Sequence, residues 1–335
     1  MNDTIRWGIL GTGKIARQFA DGLKILPNAR LMAVGSRTSE KAEAFGTQFA
    51  VPHRHTSYEA LVNDPDVDVI YVATPHSCHR ENTLLALSAG KAVLCEKPFA
   101  IDAREAAEMI AFARKKKLFL MEAMWTRCFP LMTRLKELLR SNVIGDVRML
   151  TADFGFRAEY QEEKRLFDPA AGGGALLDVG VYPVSLASMI FGPPIRIASF
   201  ANLGKTGVDE EAAMILAHEK GQLAVLSTAI RLDTAQEAIL FGTAGRIRIQ
   251  SPWWKPTAMT ISREGASDET FEFPWDGNGY QFEAVEVMNC MRRGELESRL
   301  MPLDETLSIM KILDSIRAQW GLKYPDPGLP MAHYK

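Results

Sequence analysis

Three groups of residues have types and spacings suited to chemistry. The first, Gly11-Thr12-Gly13-Lys14-Ile15-Ala16, is a G-x-G-x-x-A turn between a strand-like and a helix-like segment. There the first glycine permits a tight turn and the second lets backbone approach a pyrophosphate. Ala16 allows close helix packing, and the helix N-terminus offers N–H donors and a positive dipole. Dinucleotide binding is expected at Gly11, Thr12, Gly13, Lys14 and Ile15; the plainer reading is a Gly-rich turn. About 20 residues further on, an acid would hold the ribose 2′-OH of NAD, but the place reads Gly35-Ser36-Arg37-Thr38. Ser36 can hydrogen-bond a 2′-phosphate and Arg37 can pair with it or stack on adenine, so NADP is expected, with NAD as the alternative if Arg37 is only a solvated charge.

The second group follows two later strand-like runs: Ala73-Thr74-Pro75 leads into His76-Ser77-Cys78-His79, and Cys95 into Glu96-Lys97-Pro98. Residues at the carboxyl ends of parallel strands line a cofactor crevice, which makes Thr74, Pro75, His76, His79, Glu96 and Lys97 cofactor-facing candidates. Lys97 precedes a proline that restricts its backbone; its competing reading is an exposed surface lysine. His53, His55, His76, Cys78 and His79 lie on two loops without structural-zinc spacing, so no metal is expected.

The third group is Gly172-Gly173-Gly174-Ala175-Leu176-Leu177-Asp178-Val179-Gly180-Val181-Tyr182. Three glycines would let backbone pass close to a ligand. If the segment is helical, Asp178 and Tyr182 stand at i and i+4 and share a face. A phenol titrates near ~10 and serves as a base at neutral pH only if a cation holds its phenolate, a task Lys97 could perform. The required shift of about 2 to 3 units corresponds to roughly 3 to 4 kcal/mol of differential stabilisation. The alternative is a helix-capping aspartate and a core tyrosine.

These groups need elements to position them. Residues 6–10, 31–35, 67–73 and 92–95 read as short buried strands alternating with helical stretches at 39–49, 81–89 and 102–116, the pattern of a parallel sheet with helices on both faces. Beyond about Met121 the pattern changes. Trp125 to Leu139 reads as a helix, followed by strand candidates at 147–156, 195–201, 212–218, 222–230, 237–241, 246–249, 259–263 and 269–273. The expected class is α/β: a doubly wound Rossmann domain at 1–121, then an α+β domain at 122–335 with a large, mostly antiparallel open sheet. The C-terminal tail is expected to pack back on the first domain. One face of the sheet strands from Ala212 to Ile249 offers a surface to a twin subunit, so a homodimer or higher homo-oligomer is expected. Trp253-Trp254 reads as a loop anchor rather than a catalytic element.

Composition narrows the function. The 335 residues carry 39 Lys plus Arg against 41 Asp plus Glu, a formal charge of −2, so no net field favours nucleic acid or an anionic membrane. Apolar runs such as Val69–Ala73 fall short of the roughly 20 residues that span a bilayer. The polar start lacks a signal-peptide pattern, and four cysteines at unrelated spacings suit a reducing compartment, so a cytoplasmic protein is expected.

In order and spacing, G-x-G-x-x-A, Thr74-Pro75, Glu96-Lys97-Pro98 and the G-G-G-x-L-x-D-x-G-x-Y stretch resemble the glucose-fructose oxidoreductase / inositol dehydrogenase / rhizopine catabolism (Gfo/Idh/MocA) family over essentially the whole chain. Met121–Pro130 and Gly279–Ala284 are similar to the subgroup with dimeric dihydrodiol dehydrogenase and NADP-dependent D-xylose dehydrogenase. The resemblance implies an NADP-dependent oxidoreductase acting on a secondary alcohol of a cyclic sugar, polyol or dihydrodiol. Lys97 would contact cofactor and substrate, Asp178 a substrate hydroxyl, and Tyr182 would be the general acid/base. Trp125, Arg127 and Phe154 would line the substrate pocket. Tyr182 stands where many members have His, a departure from the inositol dehydrogenase pattern. Two other readings remain: a non-catalytic NADPH-binding sensor, or an oxidoreductase whose tightly held cofactor cycles between two sugars. The latter type carries an N-terminal arm, whereas the first strand here begins by about Ile5, which favours an exchangeable cofactor.

Overall fold

The computed structural model describes residues 4–325. By packing, the chain divides into two compact units, one of residues up to Cys128 with Asp276–Leu307, the other of Phe129–Trp275 with residues from Ser308 on. The segment Asp276–Leu307, assigned above to the second domain, thus clusters with the first. Its reason is local: Asn278 donates to the Gln18 carbonyl at 2.7 Å, and Tyr280 stacks on Trp125 at 4.3 Å. The tail expected to fold back lies, for its last ten residues, outside the described part.

In the first unit β1 (Ile5–Leu10), β2 (Ala29–Gly35), β3 (His53–His55), β4 (Val69–Val72), β5 (Ala92–Glu96) and β6 (Leu120–Ala123) form one sheet in the order β3-β2-β1-β4-β5-β6. Every pairing is parallel. Helices α1 (Lys14–Lys24), α2 (Ser39–Phe49), α3 (Tyr58–Val62), α4 (His79–Ser88) and α5 (Ala103–Lys116) run between the strands. Both β4 and β5 are buried at every position, as continuous apolar strands covered on both faces must be. Strand order reverses between β1 and β4, so Gly11, Ala73 and Lys97 follow the carboxyl ends of three adjacent strands at the topological switch point, where α/β sheets bind ligands.

The helix expected over Trp125–Leu139 is two pieces, a 3₁₀ turn at Trp125–Cys128 and α6 (Pro130–Arg140). Pro130 has no N–H to continue a helix, and Phe129 before it is extended (φ −66°, ψ 142°).

The second unit contains β7 (Val147–Gly155), α7 (Val181–Phe191), β8 (Arg196–Leu203), β9 (Asp209–Ala217), β10 (Leu223–Ala229), β11 (Ala238–Gly242), β12 (Gly245–Ile249), β13 (Ala258–Ser262) and β14 (Glu269–Glu272). The eight strands form one sheet, β14-β13-β12-β11-β7-β10-β9-β8. All neighbours are antiparallel except β7 and β10. Two further helices, α8 (Gln281–Arg292) and α9 (Leu303–Gln319), complete the chain.

One face of this sheet is covered by the helical stretch Pro169–Phe191, of 23 residues, whose most apolar window is 83 % buried. That burial accounts for a composition otherwise long and apolar enough to cross a bilayer. The other face exposes apolar side chains along β8 to β10, among them Phe200 at 83 %, Ile215 and Val225. Val225 and Ala198 flank Ile215 in register, so the exposed residues form a cross-strand patch.

Candidate active site

The first unit builds a cradle from strand ends. Gly11 has φ +109°, and a Cβ there would meet the Ala73 carbonyl at 2.8 Å, so β1 can turn this tightly beside β4 only with glycine. Gly13 differs: a Cβ would project into open space, and α1 begins there without a side-chain cap. An uncapped N-terminus with clear space before it is the arrangement a pyrophosphate needs, so these residues fit a dinucleotide. Thr12 and Ile15 are half-buried and Lys14 is exposed at the first position of α1.

At the end of β2, Arg37 is exposed and its guanidinium neighbours the Tyr58 hydroxyl, whose titration is raised by burial and opposed by that charge. Ser36 is buried, its backbone N–H donating to the His55 carbonyl at 3.1 Å. A hydroxyl and a cation thus stand where a carboxylate would hold an unphosphorylated ribose. Tyr58, which lies 21 residues beyond Arg37, was not visible as a partner in the sequence because α2 and β3 intervene.

His79 is fully buried as the first residue of α4, and its ring nitrogens face two carbonyls, Pro98 at 2.8 Å from Nδ1 and Thr74 at 2.9 Å from Nε2. It ties the loop after β4 to the loop after β5. His76 is buried 5.7 Å away, ring to ring, and Pro75 is exposed. The Thr74 hydroxyl accepts from Asn82 at 3.1 Å. Glu96 accepts from the Tyr71 hydroxyl and, at 3.0 Å, from the Lys97 N–H, so its carboxylate holds the backbone that presents Lys97, itself half-buried. Glu283 beside it is pushed far above the usual carboxylate range by burial and the Glu96 charge.

His53 and His55 point to one face of β3, as strand period demands. Both face Asp64 Oδ2, at 2.7 and 2.8 Å. These are hydrogen-bond separations; tetrahedral zinc at about 2.0–2.1 Å would hold its donor atoms further apart. Although burial opposes it, the bonds from His55, the Asp66 N–H and His53 bring the Asp64 carboxyl down to about 2.

Of the expected pocket residues, Trp125 stacks on Tyr280 (interplanar angle 6°), and Arg127 is buried and pairs with Glu305 at 2.6 Å. Arg127 is therefore part of an internal ion pair of the first unit.

In the second unit Asp178 lies in a π-helical turn, Leu176–Gly180, that runs into α7 and Tyr182. Such turns are rare and concentrate at functional sites. Asp178 accepts from Arg165 Nη2 at 2.7 Å. Tyr182 is buried with its ring 5.2 Å from Phe154; Phe154 in turn stacks flat on Trp254 at 4.7 Å. Trp254 donates to Gln236 Oε1 at 3.0 Å. The tryptophan pair therefore divides: Trp253 anchors the loop, fully buried and donating to the Asp153 carbonyl at 2.7 Å, while Trp254 walls the tyrosine.

The glycine run serves the chain itself. A Cβ at Gly173 would meet the carbonyls of Leu166, Arg165 and Asp168 at 2.6, 2.7 and 2.9 Å, so the loop carrying Arg165 lies directly on it. The expectation that these glycines admit a ligand is corrected at Gly173, where protein backbone takes the space. Gly174 N–H donates to the Leu166 carbonyl at 2.8 Å, and Tyr324 donates to the Gly173 carbonyl at 2.8 Å. Asp209, fully buried at the start of β9, accepts from the Leu176 N–H at 2.6 Å and so caps the turn that carries Asp178. Asp209 and Trp254 carry no local signal, because each meets the glycine-rich segment or Phe154 from a distant part of the chain; Arg165, 13 residues before Asp178, reaches it only through the fold of the loop on Gly173.

The chain is similar over nearly its whole length to known proteins. A model of an oxidoreductase family with an NAD-binding Rossmann fold matches residues 5–124, and the GFO/IDH/MocA C-terminal domain matches 132–248. The trans-1,2-dihydrobenzene-1,2-diol dehydrogenase of Mus musculus is 38 % identical over 333 residues, 96 % of this chain and 98 % of that protein. The human protein of the same name is 36 % identical over 330 residues, again covering 96 % and 98 %. Among solved structures, a 3-ketoreductase from Actinomadura kijaniata in complex with NADP and TDP-benzene superposes with TM-score 0.85 at 27 % identity, covering 94 % of this chain and 97 % of that one. An aldose-aldose oxidoreductase from Caulobacter crescentus complexed with glycerol gives 0.87 at 26 % identity, covering 95 % and 98 %.

Burial pushes the Asp209 carboxyl up to about 7, against the backbone N–H groups that favour its charge. The folded state then holds a proton that the unfolded chain releases near ~4. Stability from this group is complete below that pH and is lost as pH rises through about 7. In Asp209→Asn, calorimetry should show a melting temperature that declines less between pH 5 and 8 than in the parent; parallel curves for the two proteins would contradict the assignment.

Proposed function

The chain belongs to the GFO/IDH/MocA oxidoreductase family, and from that premise we propose that Tyr182, Lys97 and Asp178 carry its reaction. The protein is an NAD(P)-dependent dehydrogenase acting on CH–OH groups of a sugar or diol, with NADP preferred. The observation that carries the residue assignment is a carboxylate in a π-wound turn four residues before a buried phenol that Phe154 and Trp254 wall.

When bound, NADP supplies the hydride acceptor at its nicotinamide ring. The chain's own task is the proton and the alignment. Tyr182 takes the proton from the reacting hydroxyl as the carbon–hydrogen bond breaks, Lys97 offsets the developing oxyanion charge, and Asp178 holds a neighbouring hydroxyl. The aromatic wall keeps water from the phenol. In the first unit Gly13 and the N-terminus of α1 receive the pyrophosphate, and Arg37 with Tyr58 receives the 2′-phosphate. This reading fits an enzyme of the cytoplasm, where thiols outside disulfides persist in reduced form.

We further propose that the apolar patch on β8 to β10 is covered by a second copy of the chain. Phe200, Ile215 and Val225 lie on the face turned away from α7, and monomers rarely leave so contiguous a patch in water.

Three outcomes follow. Tyr182→Phe should lower turnover by about 10² or more while leaving NADPH binding nearly intact, as read by steady-state kinetics and fluorescence titration; retained turnover would move the proton role elsewhere. Arg37→Ala should raise the Michaelis constant for NADP about tenfold or more and leave that for NAD unchanged. Finally, Phe200→Glu should sediment as a monomer, where a parent already monomeric would refute the interface.

A further inference from the structure

The loop over Gly173 places one charged side chain for which the proposed reaction has no use so far. Arg165 reaches Asp178 with Nη2 at 2.7 Å, and the two side chains differ in exposure: 41 % for the arginine, 13 % for the aspartate. The placement is built. Gly173 makes room for the Arg165, Leu166 and Asp168 carbonyls, Gly174 bonds back to Leu166, and the Asp168 carboxylate accepts from the Ala170 N–H at 2.8 Å to close the loop. Asp178 lies four residues before Tyr182 on the same helical stretch.

We propose that Arg165 is a specificity-determining residue, and that with Asp178 it selects substrates bearing two hydroxyls on adjacent carbons. This rests on Asp178 and Tyr182 forming the substrate site, as read above. A carboxylate only accepts and a guanidinium only donates. Side by side, they match a vicinal diol: while one hydroxyl reacts at Tyr182, its neighbour donates to Asp178 and accepts from Arg165. An isolated alcohol has only the reacting hydroxyl, at Tyr182, and leaves both charged groups without a ligand contact. The pair also argues against an anionic substrate: attraction by Arg165 is countered by Asp178 at 2.7 Å from it. The guanidinium's exposed edge, beside a carboxylate that is nearly covered, is where the second hydroxyl would arrive.

The test compares trans-1,2-cyclohexanediol with cyclohexanol in the full-length parent, Arg165→Gln and Arg165→Lys, by NADP reduction and by ligand-observed NMR binding, which needs no turnover. In the parent the diol should be preferred in both readouts. Arg165→Gln should lower the diol-to-alcohol ratio of kcat/KM tenfold or more, mainly through KM, and Arg165→Lys, which keeps a donor cation, should fall between. If Arg165→Gln does not fold, an unchanged ratio in Arg165→Lys overturns the proposal and a reduced one supports it. Turnover with a ratio unaffected by either substitution overturns this inference and leaves the dehydrogenase reading standing. Diol binding that is lost in Arg165→Gln, in a parent that reduces no NADP, supports this inference and overturns the catalytic reading. Neither binding nor turnover of the diol in the parent overturns both.

Discussion

The hydrogen bond from the Leu176 N–H to the fully buried Asp209 Oδ2, 2.6 Å long, is the constraint on which the second unit's candidate site depends. It fixes the start of the helical stretch whose first turns are π-wound and carry Asp178, and whose continuation as α7 carries Tyr182. A buried carboxylate is costly unless donors surround it. Here the donors are backbone N–H groups at the start of a helix, where negative charge is favoured. The glycine run and Tyr324 then close the loop around this start, which sets where Arg165 meets Asp178.

The first unit solves a parallel problem by another route. Its candidate cofactor-binding groups sit on loops after three adjacent strands, and loops need bracing to hold a position. His79 joins two of them through backbone carbonyls, and Glu96 holds the Lys97 backbone from beneath. What is left open is the N-terminus of α1 at Gly13. Buried polar groups thus brace the cradle, while its open surface is kept for the ligand.

Much of this was legible in the sequence because it is periodic or local. Unbroken apolar runs marked β4 and β5 as strands covered on both faces, and the eight strands of the second sheet lie within a few residues of the segments their alternation indicated. The G-x-G-x-x-A turn, Lys97 after β5 and the Asp178–Tyr182 spacing likewise read directly. What was hidden depends on partners distant in the chain. The parallel pairing of β7 with β10, the stack of Trp254 on Phe154 and the cap from Asp209 are set by tertiary packing, which no window of neighbouring residues encodes. The break at Phe129-Pro130 was local, but the helical periodicity around it masked the signal of the proline.

The central claim is that this chain moves hydride from a carbon bearing a hydroxyl to a nicotinamide. Its most direct test uses a cyclic vicinal diol deuterated at its carbinol carbons, incubated with the protein and NADP, with the cofactor then recovered for proton NMR. The account predicts deuterium at C4 of the nicotinamide in a single stereochemical position. Recovered cofactor without label, under conditions in which the protein is folded and binds NADP, would contradict it.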